Sequence, residues 1–161
     1  MRILGIDPGT ATTGYGLIDI IDNNVIEVVN YGIIQTSPSS IMPERLKAIF
    51  DDINYLFDNF SPDMMVIEEL FFFKNAKTVI TVSQARGVVL LAAANHNVPI
   101  YEYTPLQVKL TLTGYGRADK KEMQNTVTDL LNLEEIPKPD DAADALAIAL
   151  CHHQHMISDI V

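Results

Sequence analysis

The chain has a single cysteine, Cys151, among 161 residues. No disulfide framework can form within it, and a reducing compartment suits it. Residues 1–20 show no basic segment followed by an unbroken apolar stretch, so no secretory signal is read there. No uninterrupted apolar run approaches the ~18 residues that span a bilayer. A cytoplasmic location away from membranes is therefore expected. Internal repeats, linkers and low-complexity blocks are also missing, and one domain over 1–161 is the simplest organisation.

Basic charge is scarce as well. Eleven Lys and Arg face twenty-one Asp and Glu, for a net charge of −10. Nucleic-acid-binding domains are usually basic, which argues at first against such a partner. The charges are unevenly spread, however. Seven of the eleven cations (Lys74, Lys77, Arg86, Lys109, Arg117, Lys120 and Lys121) lie between 74 and 121 with only Glu102 and Asp119 among them. That segment is net +5 and the remainder −15. An acidic chain of this kind can still present one basic face, although lysines scattered on solvated helices would give the same count.

What is present is an α/β pattern, with 48% hydrophobic residues. Period-two, β-branched stretches predict strands near 2–7, 13–20 and 24–35, the last two joined at "DNN". Leu46, Ile49, Phe50, Ile53, Leu56 and Phe57 form one helical stripe that ends at Pro62. "DMMVIEEL" reads as a buried strand and 77–97 as a helix apolar on too many sides for one sheet to cover. "VPIYEYT" is a further strand and "PLQVKLTLTGYG" a short helix with a glycine-rich exit. A helix follows over 119–133, with Asp119 as N-cap and Glu122 three residues on, and an Ala-rich helix closes the chain. Three strands able to form an antiparallel meander, then strands added in parallel through helical crossovers, predict a mixed sheet flanked by helices.

Carboxylates recur at the places where such a sheet gathers its ligands. Asp7 ends the first strand and Glu68 ends "MVIE". Asp141 and Asp144 are three apart in "DDAADALAIAL", on one helix face among alanines that permit close approach to a sheet. Each has an ordinary explanation. Asp before Pro8-Gly9 can form a turn, Glu68 can be an exposed strand end with Glu69 leaving the choice of acid open, and one polar helix face would account for Asp141 and Asp144. Asp140 is expected to cap the last helix. Brought together, the four acids would repel strongly without a cation. Their oxygens suit Mg²⁺ or Mn²⁺, and two such ions support phosphodiester hydrolysis.

Taken in order, "GIDPGTATTGYG", "VIEELFFFKNAKT", "QARGVVLLAAANH", "YTPLQVKLTLTGYGRADKKEMQ" and "DDAADALAIALCHH" resemble the RuvC family of Holliday-junction endonucleases over nearly the whole chain. The resemblance implies a ribonuclease-H-like fold, a homodimer and paired, symmetric nicks in a four-way DNA junction. Its catalytic acids fall on Asp7, Glu68, Asp141 and Asp144, its phosphate-contacting lysines on Lys109 and Lys120, and its base-stacking aromatic on Phe71. RuvA–RuvB would be the partner machinery, and Mg²⁺, replaceable by Mn²⁺, the cofactor at two ions per site.

The residues agree with several of these points. "FFFKNAK" combines aromatics with cations, as a base-stacking, backbone-holding element does. Lys120 and Lys121 stand near a helix start, where the dipole disfavours cations and a phosphate would explain them. The spare face of the 77–97 helix suits contact with a second copy. Glu69, where the family often has Gln, and Asp140 add acids beside the cluster, which would heighten dependence on metal and salt. His152, His153 and His155 are expected at a solvated helix end, and Cys151 as a small buried hydrophobe.

Three other readings compete. A different ribonuclease-H-like nuclease would act on another branched or hybrid nucleic acid. An actin-like kinase or ATPase shares the opening strand but needs a second phosphate-binding domain, for which 161 residues leave no room. A junction-binding scaffold without catalysis would not need the four acids.

Overall fold

The computed structural model describes residues 1–22, 25–69 and 76–158, with Ala76 and Lys77 as backbone only. Three strands open it: β1 (Arg2–Asp7), β2 (Thr12–Asp22) and β3 (Val25–Gln35). Then follow α1 (Met42–Phe60), β4 (Met64–Glu68), α2 (Ala76–Asn95) and β5 (Ile100–Tyr103). Helices α3 (Pro105–Thr113), α4 (Lys120–Leu130) and α5 (Asp140–Ser158) complete it. The sheet order is β3-β2-β1-β4-β5, antiparallel through the first three strands and parallel from β1 to β4 to β5. This is the expected mixed sheet.

Local chemistry sets the helix ends. Pro43 stands in the first turn of α1, and Ser61 closes that helix in the left-handed region at φ 45°. Thr104 and Gln107 form a capping box on α3, which ends at Gly114 with φ 73°. Asp119 caps α4 by accepting from the Glu122 N–H at 2.8 Å, as expected.

Strand alternation sorts the side chains between two cores. Leu4, Ile6, Met65 and Ile67 pack with Ile49, Ile53, Leu56 and Phe57 of α1 and with Ala85, Val89 and Ala92 of α2. Ile3, Ile18 and Val66 pack on the opposite face with α5 and with Val108, Met123 and Val127 of α3 and α4. A period of two therefore carries positions 3, 5 and 7 of β1, and 64, 66 and 68 of β4, to the α5 face.

Helix α5 lies unusually close to that face. A Cβ on Gly5 would overlap the Ala145 carbonyl, one on Gly14 the Asp141 carbonyl, and one on Gly16 the Leu146 side chain at 2.8 Å. Gly5 pairs with Gly16, and Asp7 with Gly14, across β1 and β2. The glycines thus form a bare strip on the sheet, matched by Ala142, Ala143, Ala145 and Ala149 on the helix, all buried.

Two expectations need correction. His152 and His153 are not at a solvated end: α5 runs on to Ser158, and both are buried at 4% and 3% exposure. His152 Nδ1 meets the Tyr103 hydroxyl at 2.8 Å and its ring lies 4.1 Å from that of Tyr101. The reason is register, since they follow Ala149 at i+3 and i+4 and so continue its buried stripe. Second, Thr78–Asn95 is one helical window of mean hydropathy 1.2, long and apolar enough to cross a membrane by length and composition. Its apolar residues are interrupted by Ser83, Gln84 and Arg86, so no unbroken run reveals it. Arg86 pairs with Glu102 at 2.8 Å, and the inner face of α2 packs in the α1 core. Ile80, Gly87 and Leu91, spaced along one side, are exposed.

Candidate active site

Asp7 is the last residue of β1 and stands on the α5 face. The loop behind it is tied down: the buried Thr13 hydroxyl donates to the Gly9 carbonyl at 2.7 Å, and the Thr10 hydroxyl to the Thr81 carbonyl at 2.7 Å. Directly above, the first two turns of α5 carry Asp141 and Asp144. The missing side chain of Gly14 lets the Asp141 backbone descend onto β2, which brings the helix acids down to Asp7. Oxygens of Asp7, Asp141 and Asp144 all lie within 4.8 Å of one another.

The fourth acid comes from the parallel neighbour. β4 runs beside β1 with Ile6 opposite Ile67, so Glu68 is carried to the same end and the same face as Asp7. Glu69 falls on the other side of the alternation and is exposed. Of the two glutamates, Glu68 is the one whose charge couples to Asp7 and Asp144, although it is not one of the three acids whose oxygens lie within 4.8 Å of one another.

Electrostatics reports how closely the acids are gathered. Burial, then the charges of Glu68, Asp144 and Asp141, pushes the Asp7 carboxyl up to about 7, with Lys120 opposing. Burial and the Asp144 charge push Glu68 up to about 7, with Lys109 opposing. Asp144 is also raised, chiefly by burial. Like charges desolvated together hold protons unless a cation replaces them. The donor set is all oxygen and half-buried, which fits a hard divalent ion.

The two lysines sit where both the acids and a phosphate could use them. Lys109 on α3 lines a small concavity of about 70 Å³ with Glu68, Val108, Met123 and Asp144. Lys120 begins α4 and is not free, since its Nζ lies 2.8 Å from the Asp140 carboxylate. Asp140 correspondingly departs from its expected role: its side chain holds Lys120 and accepts from Gln124 at 2.9 Å. The Lys120 hydrogen bond keeps its carboxyl below the usual range. Gly14 and Gly16 lie in the part of β2 that pairs with β1, and they also seat α5. Phe71, Phe72, Phe73 and Lys74 lie outside the described residues. Arg45, which no sequence motif marks, borders a larger cavity beside Asp141.

A mixed five-stranded sheet whose antiparallel meander leads into parallel strands, with acids at the ends of β1 and β4 and on the crossing helix, defines the ribonuclease-H-like class. The yeast mitochondrial Holliday junction resolvase Ydc2 shares this fold at a TM-score of 0.71 and 14% identity, over 98% of this chain and 80% of that one. The chain belongs to the RuvC family: the model described as crossover junction endodeoxyribonuclease RuvC matches residues 3–152. The RuvC of Finegoldia magna is 57% identical over 152 residues, 94% of this chain and 92% of the relative. The Thermus thermophilus RuvC solved in complex with a Holliday junction substrate is 35% identical. It superposes at a TM-score of 0.93, over 99% of this chain and 96% of that one.

Proposed function

We propose that this chain is a divalent-metal-dependent endodeoxyribonuclease that resolves four-way DNA junctions as a homodimer. The observation that carries the reading is the gathering of Asp7, Asp141 and Asp144 within 4.8 Å, beside Glu68. Family membership and the likeness to a junction-bound RuvC support the substrate.

Asp7, Glu68, Asp141 and Asp144 would hold two Mg²⁺ ions, with Asp7, whose neighbours include all three other acids, at the centre. When bound, such ions acidify the attacking water and stabilise charge on the leaving 3′ oxygen. The chain's own residues do the rest. The Gly9–Thr13 hydrogen bond holds the turn that follows Asp7, which would limit the reorganisation its carboxylate needs. Lys109 and Lys120 offset charge around Glu68 and Asp144 and would steady the scissile phosphate. Phe71 would stack on bases near the crossover. Products would carry 5′-phosphate and 3′-hydroxyl ends.

The exposed side of α2, with Ile80 at 60% and Leu91 at 54%, supports a twofold contact that sets two acid clusters symmetrically. RuvA–RuvB would deliver the junction.

Incubation with four-way, three-way and linear duplexes in Mg²⁺ or EDTA tests the proposal. Paired symmetric nicks in the four-way junction alone, abolished by EDTA, are expected. Binding without any cutting would favour a scaffold, and preferential cutting of another substrate a different nuclease.

A further inference from the structure

On the Asp141 side of the acid cluster lies a cavity of about 460 Å³, bordered by Gly9, Thr10, Thr12, Arg45, Thr81 and Asp141. It is separate from the small concavity that holds Lys109. The metal centre is therefore flanked by two hollows, each with a cation on its wall.

Arg45 differs from those cations of this acidic chain that a carboxylate holds. Arg2, Arg86 and Lys120 are each held by a carboxylate, Asp19, Glu102 and Asp140, at 2.7–2.8 Å. Arg45 has no carboxylate partner among the described residues. Its Nε instead donates to the Thr36 hydroxyl at 2.8 Å, and Thr36 donates on to the Thr10 carbonyl at 2.6 Å. Thr10 in turn donates to Thr81 at 2.7 Å. One edge of the guanidinium is thus pinned to the loop that follows Asp7, while the side chain stays on the cavity wall. A fixed guanidinium with Nη groups to spare recognises a phosphate through two parallel hydrogen bonds. The Thr10 and Thr81 hydroxyl protons are already engaged on backbone carbonyls, so the guanidinium is the donor that the cavity offers such an anion.

We propose that Arg45 and the Gly9–Thr12 loop form a second phosphate subsite. It takes a backbone phosphodiester next to the one that is cut, on the opposite side of the metal centre from Lys109. The inference rests on the junction-resolving reading and deepens it. A strand lying across the acids would then be gripped on both flanks, and the relay through Thr36 and Thr10 would tie that grip to the position of Asp7. In a chain of net charge −10, few cations are left for the backbone, so losing one should be felt.

The test pairs protein variants with junctions carrying one neutral methylphosphonate in place of a phosphate flanking the cut. Binding is read by anisotropy in Ca²⁺ and cutting by single turnover in Mg²⁺. Arg45→Gln should bind the ordinary junction about 10-fold more weakly and lower the slope of log K against log salt by about 1. Wild type should show a matching loss at one methylphosphonate position, and Arg45→Gln no further loss there. Arg45→Lys should recover part of the affinity. Thr36→Val, which breaks the relay but keeps the charge, should retain the salt slope. Losses that add fully, or a salt slope unchanged in Arg45→Gln, overturn the subsite while leaving junction resolution intact. A wild-type protein that binds four-way and linear DNA alike overturns the functional reading and the subsite with it.

Discussion

Replacing Asp7 by Asn should make the metal-free protein more stable. Asp7 is raised from 3.8 to about 7, first by burial and then by Glu68, Asp144 and Asp141. At about 1.4 kcal/mol per pH unit, ionising it in the folded state costs about 4 kcal/mol. Local relaxation lowers the realised figure to about 2–4 kcal/mol. The sign follows from proton counts. Between pH ~4 and ~7 the folded state holds the Asp7 proton that the unfolded chain has lost, so stability falls as pH rises through that window and levels off above 7. Asparagine keeps the shape and removes the charge. Thermal and urea unfolding in EDTA at pH 7.5 should show Asp7→Asn ahead by about 2–4 kcal/mol, or roughly 5–15 °C in Tm for a chain of this size. At pH 5.5 the gap should shrink by about 2 kcal/mol. Mg²⁺ should raise the Tm of wild type and scarcely move the variant. An Asp7→Asn protein less stable than wild type at pH 7.5 in EDTA, or a gap indifferent to pH, would refute the picture of a cluster that is strained without its cation.

Three further outcomes are expected. Gly14→Ala must push Asp141 off the sheet; it should cost about 1–3 kcal/mol and cut junction cleavage about 100-fold, and near-normal cleavage would mean that α5 is not held where we describe it. Leu91→Asp, on the exposed side of α2, should leave a folded monomer by analytical ultracentrifugation and abolish paired nicking, whereas an intact dimer would move the interface elsewhere. His153 is buried and both ring nitrogens lack partners among the described residues, and burial lowers its pKa. Its contribution to stability therefore falls as pH drops below the unfolded value of about 6.5. His153→Leu should flatten stability between pH 6.5 and 5, and an unchanged pH profile would contradict the burial.

Much of this arrangement is legible in the residues because it rests on local periodicity. The β1 and β4 runs show where strands stop, and the acid after each apolar run is the one that reaches the site. Even the choice between Glu68 and Glu69 follows from alternation, once Met65 and Ile67 are assigned to the α1 face. The Ala-rich pattern of α5 announces a close approach, but not its target. Only the pairing of Gly5 with Gly16 and the placing of Gly14 under Asp141 shows that the glycines serve the helix rather than the turn. Contacts distant in sequence leave no such trace. Arg45 comes from α1, while Thr36 and Thr10 come from two separate loops, and the Lys120–Asp140 pair joins two helices. His152 and His153 look like a polar tail because residue type outweighs register in a simple reading. The stacking assigned to Phe71 falls outside the described residues.

The proposed nuclease centre needs its four acids to act together, with metal, on a four-way junction. The most direct measurement compares wild type with Asp7→Asn on an end-labelled junction, reading binding and nick position in the same Mg²⁺ buffer. Symmetric nicks are expected from wild type, and from Asp7→Asn a stable complex with no nicks. An Asp7→Asn protein that nicks the junction at the wild-type rate would contradict it.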